Sequence, residues 1–567
     1  MCGPLTQLLA LKSLHPMNRL SMQPCGTPFE HPTSRPWRWL FALLLGVWTS
    51  GCASLPSDVE RPVSYALTTP QDTALGRTMQ ASAAAARTRN DSGFALVNSA
   101  ELAFTSRMAL INAAQKTLDI QYYAIHADET TERMFTALRA AGERGVRIRI
   151  LLDDFNTVGK NAQVLKLAFE KNISMRLFNP LPGTRSSQVL RILGSLKDVD
   201  RIQRRMHNKI FVADNAVAIT GGRNLGETYF GQSEGTNFVD ADMLAAGRIV
   251  RELSRSFDQY WNNPLAYPVQ SLMTVKELEA LKPAPKIAPV ASSANPDAAA
   301  LDRFPSTVDP APAVIPPLPD TTNLSRLSWT WAPSVLMVDK ASKIAADADD
   351  VEQAQDTTVD GLLQLMSNAK SNVLIVTPYF VPGERMMAQL AAIRQKGVRI
   401  RVLTNSLASN DAPAAHVGYA RYRRQLLGMG IEIHEMRAEH VGTLSSFGGL
   451  GSSGSAGGSR ASLHSKIVVL DDALLVIGSM NLDLRSQLQN SEVALVISSR
   501  KLASETTQLI EPAMAKGAYK VELVGGQLVW RAPQGSQLKD STTEPDASFA
   551  LKLMLKLIGP FAPQEML

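Results

Sequence analysis

The sequence predicts an α/β fold of two similar halves, each a mixed, mostly parallel sheet flanked by helices, packed together as a pseudo-dimer with the active site between them. Three observations predict it. The chain has 567 residues, more than one hydrophobic core usually holds. Strand and helix patterns alternate along it, as they do in sheets covered by helices. The stretch around His207 is also repeated in the same frame around His464, 257 residues later.

Composition indicates a globular protein with a mildly basic surface. The apolar fraction is 45% and the net charge is +6, which suits a polyanionic partner such as nucleic acid or an anionic membrane surface. The three cysteines, Cys2, Cys25 and Cys52, all precede the first predicted strand. A disulfide framework or a cysteine-based metal site in the body is therefore excluded.

Residues 1–52 are predicted to be a leader. Arg35 and Arg38 precede an apolar run over 39–48, and Ser50-Gly51-Cys52 resembles a bacterial lipobox, in which the cysteine is acylated. We expect Cys52 to be the lipidation site of a membrane-anchored lipoprotein of the cell envelope that faces the periplasm. Inner or outer membrane is left open, and an uncleaved anchor is the alternative. Residues 53–90 would link the leader to the body.

The first half is predicted at 91–275 and the second at 351–520. TLDIQYYAIHAD, from residue 117, is answered by NVLIVTPYFVPG, from residue 372, and each is an apolar run that ends in a pair of aromatics. A helix period that ends at glycine follows each run and leads into a GVRIR strand. The repeat therefore contains whole strand-helix-strand units.

Three segments lie outside this pattern. Residues 276–350 are rich in Pro and Ala and are predicted to be a linker. A Gly/Ser loop at 445–462 runs into His464 and is either a surface loop or a flap over the site. The tail at 521–567 contains SFALKLMLKLIGPF, which either lies on an anionic bilayer or packs on the protein's own core.

The repeated motif is predicted to be a hairpin. Lys209 lies two residues after His207, so both side chains leave the same face of a strand, and Lys466 stands in the same relation to His464. An apolar run, a polar turn and an apolar return strand follow in each half. The motif aspartates are candidate catalytic residues, but the strand would place them about 23 Å from the histidines, so we expect turn formers. These aspartates are Asp214 and Asp471.

The return strand brings further polar groups level with each histidine. A lysine cation, asparagine amides and backbone N–H groups can hold a phosphate, while a histidine attacks phosphorus or moves a proton. The candidate phosphate-binding residues are Gly222 and Asn224 in the first half and Ser479 and Asn481 in the second. Each histidine also needs an orienting carboxylate. The second half offers Glu492, and the first offers Asp240 or Asp242, of which we prefer Asp240.

These features together resemble the phospholipase D superfamily, whose signature is His-x-Lys-x4-Asp followed by Gly-Gly/Ser-x-Asn, carried twice. Within it they are most similar to bacterial cardiolipin synthases of the C type, over roughly residues 96–513. The resemblance implies that His207 attacks a phospholipid to give a phosphatidyl-histidine while His464 protonates the leaving alcohol. Phosphatidylglycerol would then accept the group, and the donor would be phosphatidylethanolamine or a second phosphatidylglycerol. The resemblance implies no cofactor and no metal.

Three alternatives stay open. A phospholipase D would let water take the phosphatidyl group and release phosphatidic acid. An envelope phosphodiesterase or nuclease is disfavoured by the leader and by the lack of an aromatic stacking platform or dense basic stripe. An inactive membrane-binding scaffold would not need two intact His, Lys and Asn sets. The expected partners are phospholipid substrates and a membrane surface, without nucleic acid, and the need for a helper protein is left open.

Overall fold

The computed structural model describes residues 55–183, 185–195, 198–280, 322–345, 357–438 and 460–558. The predicted leader with Cys52, most of the Pro/Ala-rich linker and most of the Gly/Ser loop lie outside the described residues. The described residues all belong to one compact unit.

Strands of the first half build a nine-stranded sheet in the order β10-β1-β8-β6-β5-β2-β3-β4-β9. The strands up to residue 331 are β1 (Ser92–Val97), β2 (Thr117–Tyr122), β3 (Arg147–Asp153), β4 (Ile173–Phe178), β5 (Ile210–Ala213), β6 (Val217–Gly221), β7 (Thr236–Val239), β8 (Asp242–Gly247), β9 (Ala266–Pro268) and β10 (Thr330–Trp331).

The second half repeats this arrangement in the order β11-β20-β18-β17-β12-β14-β15-β21-β22. Its strands are β11 (Ser334–Val338), β12 (Asn372–Val376), β13 (Phe380–Val381), β14 (Arg399–Asn405), β15 (Glu432–Met436), β16 (Arg460–Leu463), β17 (Ile467–Leu470), β18 (Leu474–Gly478), β19 (Leu482–Asp483), β20 (Val493–Ser498), β21 (Ala518–Val524) and β22 (Gln527–Arg531). Two short pairings lie outside the large sheets, β13 with β19 and β7 with β16.

Helices cover the sheets. Those up to residue 280 are Ala74–Ala85, Ala100–Ala113, Glu129–Glu143, Gln188–Gly194, Val199–Gln203, Arg248–Trp261, Val269–Leu272 and Val275–Ala280. Those that follow are Ser342–Ala345, Thr358–Ser367, Gly383–Gln395, Pro413–Gly428, Leu484–Leu488, Arg500–Lys516 and Phe549–Ile558. Capping boxes begin two of the helices: the side chain of Asp128 accepts from the N–H of Thr131, and the side chain of Thr357 accepts from the N–H of Asp360. Among the described residues, no helix has the length and apolar character needed to span a bilayer.

The prediction of two similar α/β halves with mixed sheets is confirmed, but most strand pairs in these sheets are antiparallel rather than parallel. Parallel pairing occurs at β2-β3-β4 and at β12-β14-β15, where a crossover joins neighbouring strands. The remaining pairs of each sheet are antiparallel. The antiparallel pairs arise largely from the hairpin that carries the motif, β5-β6 or β17-β18, and from the strand beside it, β8 or β20.

The sheets reach beyond the predicted limits of the halves. Strands β10 and β11 fall inside the predicted linker 276–350 and pair with the edges of the first and second sheets. The predicted boundary at residue 520 falls within β21, and the hairpin β21-β22 continues the second sheet into the predicted tail. Residues 74–85 of the predicted linker 53–90 form a helix.

Three large apolar clusters hold the body together. One lies within each half. A third contains residues from both, including Ile210 and Met243 of the first sheet and Leu374 and Ile477 of the second. Because this cluster is shared, separating the halves would expose apolar surface, and its burial holds the two halves together.

Candidate active site

The two motif histidines are held by backbone bonds that cross between the halves. The N–H of His207 donates to the carbonyl of Ser491 at 2.9 Å, and the N–H of His464 donates to the carbonyl of Val239 at 2.9 Å. The second contact extends the parallel pairing of β16 with β7, in which Leu463 faces Val239. Each histidine is therefore positioned by the backbone of the opposite half, His464 by the end of β7 and His207 by Ser491 just before β20.

The orienting carboxylates are exchanged between the halves as a consequence. Nδ1 of His207 lies 2.9 Å from both carboxylate oxygens of Glu492, and Nδ1 of His464 lies 2.7 Å from Oδ2 of Asp240. Each carboxylate directly follows the residue whose carbonyl holds the histidine backbone. Assigning Glu492 and Asp240 by half, as the sequence suggested, brings the right residues to the site and gives each to the wrong histidine.

Asp240, not Asp242, is the carboxylate that reaches a histidine. Asp242 is buried in ion pairs with Arg107 at 3.0 Å and Arg223 at 3.3 Å. Asp240 lies against Gly222, where a Cβ atom would come within 2.4 Å of its Oδ1. The glycine at this position of the motif therefore makes room for the carboxylate.

Ser479 occupies the equivalent position in the second half and acts differently. Its hydroxyl donates to Oε2 of Glu492, and the hydroxyl of Ser486 donates to Oε1 at 2.9 Å. Burial tends to raise the pKa of Glu492, but the nearby His207 and Lys209 together with these donors leave it below its ordinary value. Glu492 is thus held as a buried anion.

The lysines stand beside the histidines, as predicted from the strand period. Nζ of Lys209 donates to the carbonyl of His207 at 2.7 Å, and the ammonium of Lys466 lies 3.0 Å from Nδ1 of His464. Burial lowers the pKa of Lys209 to about 7 and that of Lys466 to about 8. Carboxylates oppose this shift, since Glu492 and Asp240 face these ammonium groups.

Both imidazoles are poised in the neutral form. Burial, partly opposed by Glu492, lowers the pKa of His207 to about 4. Burial and then Lys466 lower the pKa of His464 well below its usual range. A neutral ring that donates from Nδ1 to a carboxylate carries its lone pair on Nε2. Each Nε2 is therefore available to attack an electrophile or to accept a proton.

The two motif asparagines differ in their contacts. Oδ1 of Asn224 accepts from the N–H of Ala124 at 3.2 Å, and its amide donates to the hydroxyl of Tyr229 at 3.0 Å. Asn481 is 4% exposed, and its Oδ1 makes no hydrogen bond to any residue the structure describes. The role of Asn224, Asn481, Gly222 and Ser479 in binding phosphate stays a prediction.

Aromatic rings also surround the histidines, and the sequence reasoning missed them. Tyr123 contacts His207 edge-on at 5.1 Å between ring centroids, while Tyr229 and Phe238 contact His464 at 5.3 and 5.0 Å. Tyr123 belongs to the aromatic pair that ends β2, so that pair was a usable signal. The tyrosines meet the imidazoles by their edges, so these contacts do not contradict the expected lack of an aromatic stacking platform.

Asp214 and Asp471 lie away from the histidines, at the far turns of the two hairpins. Both have positive φ, 53° and 52°, and each is followed by a second residue with positive φ, as a two-residue turn requires. Asp214 accepts from three consecutive backbone N–H groups that lead into β2, the last of them on its first residue, and Asp471 does the same at the start of β12. Their expected role as turn formers is confirmed, and their place in a list of catalytic candidates is corrected.

Across the described part of the chain, no group of three or more His, Cys, Asp or Glu side chains is arranged to hold a metal ion. The polar groups at the site are instead the imidazoles, the ammonium groups and the carboxylates described above. This set can bind an anionic phosphoryl group, attack it and transfer a proton.

Comparison with known proteins agrees with this arrangement. A family described as "Cardiolipin synthase, PLD-like domain" matches residues 108–261 and again residues 362–513. The chain is 36% identical to cardiolipin synthase C of Escherichia coli over 458 residues, which cover 80% of this chain and 92% of that protein. It is 23% identical to a cardiolipin synthase of Geobacillus kaustophilus, over 70% of this chain and 61% of that one.

A solved structure shares the fold. The phosphatidylserine synthase of Haemophilus influenzae superimposes with a TM-score of 0.52 at 13% identity, over 87% of this chain and all of that one. The doubled family match and the long alignment at 36% identity extend over both halves and both motifs. The chain therefore belongs to the phospholipase D superfamily and, within it, to the PLD-like cardiolipin synthase family of phosphatidyltransferases.

Proposed function

We propose that the chain makes cardiolipin by transferring a phosphatidyl group to phosphatidylglycerol, with phosphatidylethanolamine or a second phosphatidylglycerol as the donor. The observation that carries the proposal is the crossed pair of buried His–carboxylate contacts, 2.9 and 2.7 Å long, between two otherwise similar halves. A two-step transfer needs one group to hold the phosphatidyl intermediate and another to move protons. Each half provides one imidazole, and neither half is complete without the other's carboxylate.

In the first step, Nε2 of His207 attacks the donor phosphorus. The N–P bond forms as the P–O bond to the head-group alcohol breaks, and His464 gives that oxygen its proton. A bound phosphodiester anion raises the pKa of a nearby imidazole, so substrate binding favours the protonated His464 that this step uses. The products are a phosphatidyl-histidine and a free head-group alcohol.

In the second step, a hydroxyl of phosphatidylglycerol gives its proton to Nε2 of His464 and attacks phosphorus. The N–P bond breaks, cardiolipin leaves and His207 returns to the neutral form. Lys209 and Lys466 supply positive charge to the phosphoryl oxygens in both steps. The catalytic set needs no proton donor beyond these residues.

His207 is the better nucleophile of the two because of its partner. Phosphorylation at Nε2 makes the ring cationic, and Glu492, whose pKa lies below its ordinary value, presents both oxygens to Nδ1. Burial raises the pKa of Asp240, so the carboxylate that partners His464 is more readily neutralised by a proton. A carboxylate that is more readily neutralised stabilises the imidazolium form of His464 less. This suits a histidine that must release its proton in each cycle.

The test is lipid mass spectrometry on the full-length protein with phosphatidylglycerol, with and without phosphatidylethanolamine. We expect cardiolipin from the wild type and none from His207→Ala or His464→Ala. Dependence on phosphatidylethanolamine with release of ethanolamine would identify the donor. Phosphatidic acid as the sole product would overturn the synthase proposal and favour the hydrolytic alternative.

We also propose that the protein is an envelope lipoprotein acylated at Cys52, on the strength of the leader sequence alone. The expected result is that labelled palmitate enters the wild type and not Cys52→Ser, and that Cys52→Ser leaves the membrane fraction. Membrane retention of an unlabelled wild type would favour the uncleaved anchor instead.

A further inference from the structure

The helix Phe549–Ile558 carries a row of apolar side chains that face solvent. Phe549 is 80% exposed, Leu553 43% and Leu557 62%. These residues are four apart, so they share one face of the helix. A globular protein normally turns such a face toward its core, and a contiguous exposed row marks an interaction surface.

The segment before this helix is fixed to the body by ion pairs. The carboxylate of Glu544 accepts from Arg423 at 2.7 Å. Arg423 lies on the helix Pro413–Gly428, which also contacts the helix Phe549–Ile558. Asp546 accepts from Arg437 at 3.1 Å and from the hydroxyl of Tyr519 at 3.2 Å. The start of the helix is therefore held in place, three residues after Asp546.

That place is the catalytic edge of the second sheet. Arg437 directly follows β15, and its neighbour Ala438 accepts from the N–H of Ala461 at 2.7 Å, three residues before His464. At the end of β14, Asn405 bonds both the N–H and the carbonyl of Leu463. The exposed helix thus begins beside the strand that delivers His464.

The first half presents apolar side chains at the same edge. Val189 is 65% exposed and Val199 is 47% exposed, on two short helices that precede His207. Arg191 of this segment pairs with Asp154, which follows β3, while Arg205 pairs with Asp153 at the end of β3. The segment is therefore tied to the edge from which His207 projects.

We propose that the exposed row of Phe549, Leu553 and Leu557, assisted by Val189 and Val199, docks the catalytic edge onto an anionic phospholipid bilayer. The helix sequence FALKLMLKLI contains two lysines and no acidic residue, which complements an anionic surface. The proposal rests on the proposed function, because docking here would bring both histidines to the plane in which phospholipid head groups lie.

Two measurements on the full-length protein test the docking. The first is turnover of phosphatidylglycerol in vesicles relative to turnover of monomeric short-chain phosphatidylglycerol. For the combined variant Phe549→Ser, Leu553→Ser, Leu557→Ser we expect this ratio to fall by about tenfold or more, because apolar burial in the interface is lost. Turnover of the monomeric substrate should stay within about twofold of wild type.

The matched control changes exposed apolar residues at the opposite edge of the same sheet. Leu523 and Val524, which are 39% and 48% exposed, end β21 beside the Gly525-Gly526 turn. Leu523→Ser, Val524→Ser should leave the turnover ratio unchanged. An equal fall in this control, or an unchanged ratio in the helix variant, would overturn the proposal.

The second measurement is amide hydrogen exchange of the helix with vesicles that contain phosphatidylglycerol or only phosphatidylcholine. We expect slower exchange at 549–558 with the anionic vesicles. Exchange that no vesicle slows would overturn the docking proposal and leave the exposed row to a protein partner. This readout needs no turnover, so slowed exchange without cardiolipin formation would refute the proposed function while supporting the docking.

Discussion

The two halves contain the same set of groups but hold their carboxylates in different ways. In the first half a short Asp240 fits against Gly222, where a Cβ atom would clash. In the second a longer Glu492 is held by hydroxyl donors from Ser479 and Ser486. The pKa is raised for Asp240 and lowered for Glu492. The two halves of the duplicated fold therefore give their carboxylates two different electrostatic environments, as the proposed division between a nucleophile and a proton carrier requires.

Removing the carboxylate charges should have the largest effect. We expect Glu492→Gln to lower kcat by about 10³-fold, because the cationic phosphatidyl-histidine loses its counter-ion, and Asp240→Asn by about 10²-fold. With a donor that carries an activated leaving group, Asp240→Asn should recover the first step, since that step no longer needs a proton, and Glu492→Gln should not. Burst kinetics measure the difference. If Glu492→Gln recovered the first step and Asp240→Asn did not, His464 would be the nucleophile and His207 the proton carrier.

The position that differs between the halves gives the next effect. Gly222→Ala places a methyl group within 2.4 Å of Oδ1 of Asp240, so the carboxylate must move away from His464. We expect kcat to fall by about 10²-fold, as in Asp240→Asn. Ser479→Ala removes one donor and leaves Glu492 its contacts with Ser486 and His207, so a loss of only about fivefold is expected.

Steady-state kinetics with circular dichroism at matched temperature would separate a local from a global defect. A Gly222→Ala variant that is fully active would show that Asp240 does not need its present position. A Ser479→Ala variant as inactive as Glu492→Gln would show that the hydroxyl does more than hold the carboxylate.

How far the sequence could predict the site depended on whether the information was local. The strand period placed each lysine beside its histidine, and the hairpin pattern placed Asp214 and Asp471 at distant turns. The crossed carboxylates were not accessible, because they depend on which strand of the other half meets the catalytic one. For Asp240 the pairing of the four-residue strands β7 and β16 decides this, and for Glu492 the isolated pairing of Met206 with Ser491 does. None of these segments carries a signal for its partner.

The limits of the fold teach the same lesson. The VELVGGQLVW stretch at 521–530 has the form of a hairpin with a Gly-Gly turn, so its strands could have been predicted beyond residue 520. The antiparallel majority followed from the predicted hairpins themselves. By contrast, the pairing of β10 and β11 with opposite sheets needs the packed halves.

The two catalytic lysines have different pKa values, and this difference between the halves should be visible in the pH dependence of kcat/KM. Burial lowers the pKa of Lys209 to about 7 and that of Lys466 to about 8, and each loses its positive charge as the pH rises through its pKa. We therefore expect kcat/KM to fall above about pH 7. Arginine keeps its charge in this range, so Lys209→Arg should move the alkaline limb toward pH 8 and change kcat/KM, relative to its plateau value, by up to about tenfold. Lys466→Arg should leave the limb near pH 7. A limb unmoved in both variants would assign it to another group.

The smallest effect on catalysis, and a separate effect on folding, is expected at the distant turns. Asp214 is fully buried, so Asp214→Ala leaves three backbone N–H groups without their acceptor and should lower the free energy of unfolding by about 1–3 kcal/mol. Asp471 is more exposed, and water can replace it in Asp471→Ala. Urea unfolding at pH 7 would measure both, with kcat below the transition within about twofold of wild type. A large loss of kcat in a folded variant would return these aspartates to the catalytic set.

Acid should weaken the second turn in a defined direction. Burial alone would raise the pKa of Asp471, but the N–H groups of Ser371 and Lys370 hold it below its ordinary value. Its stabilising contribution is therefore fully present above the unfolded pKa of about 4 and is lost as the pH falls through the lower folded value. The difference in unfolding free energy between wild type and Asp471→Ala should shrink between about pH 5 and pH 2. A constant difference would mean that the hydrogen bonds of Asp471 stabilise the turn equally well after the carboxylate is protonated.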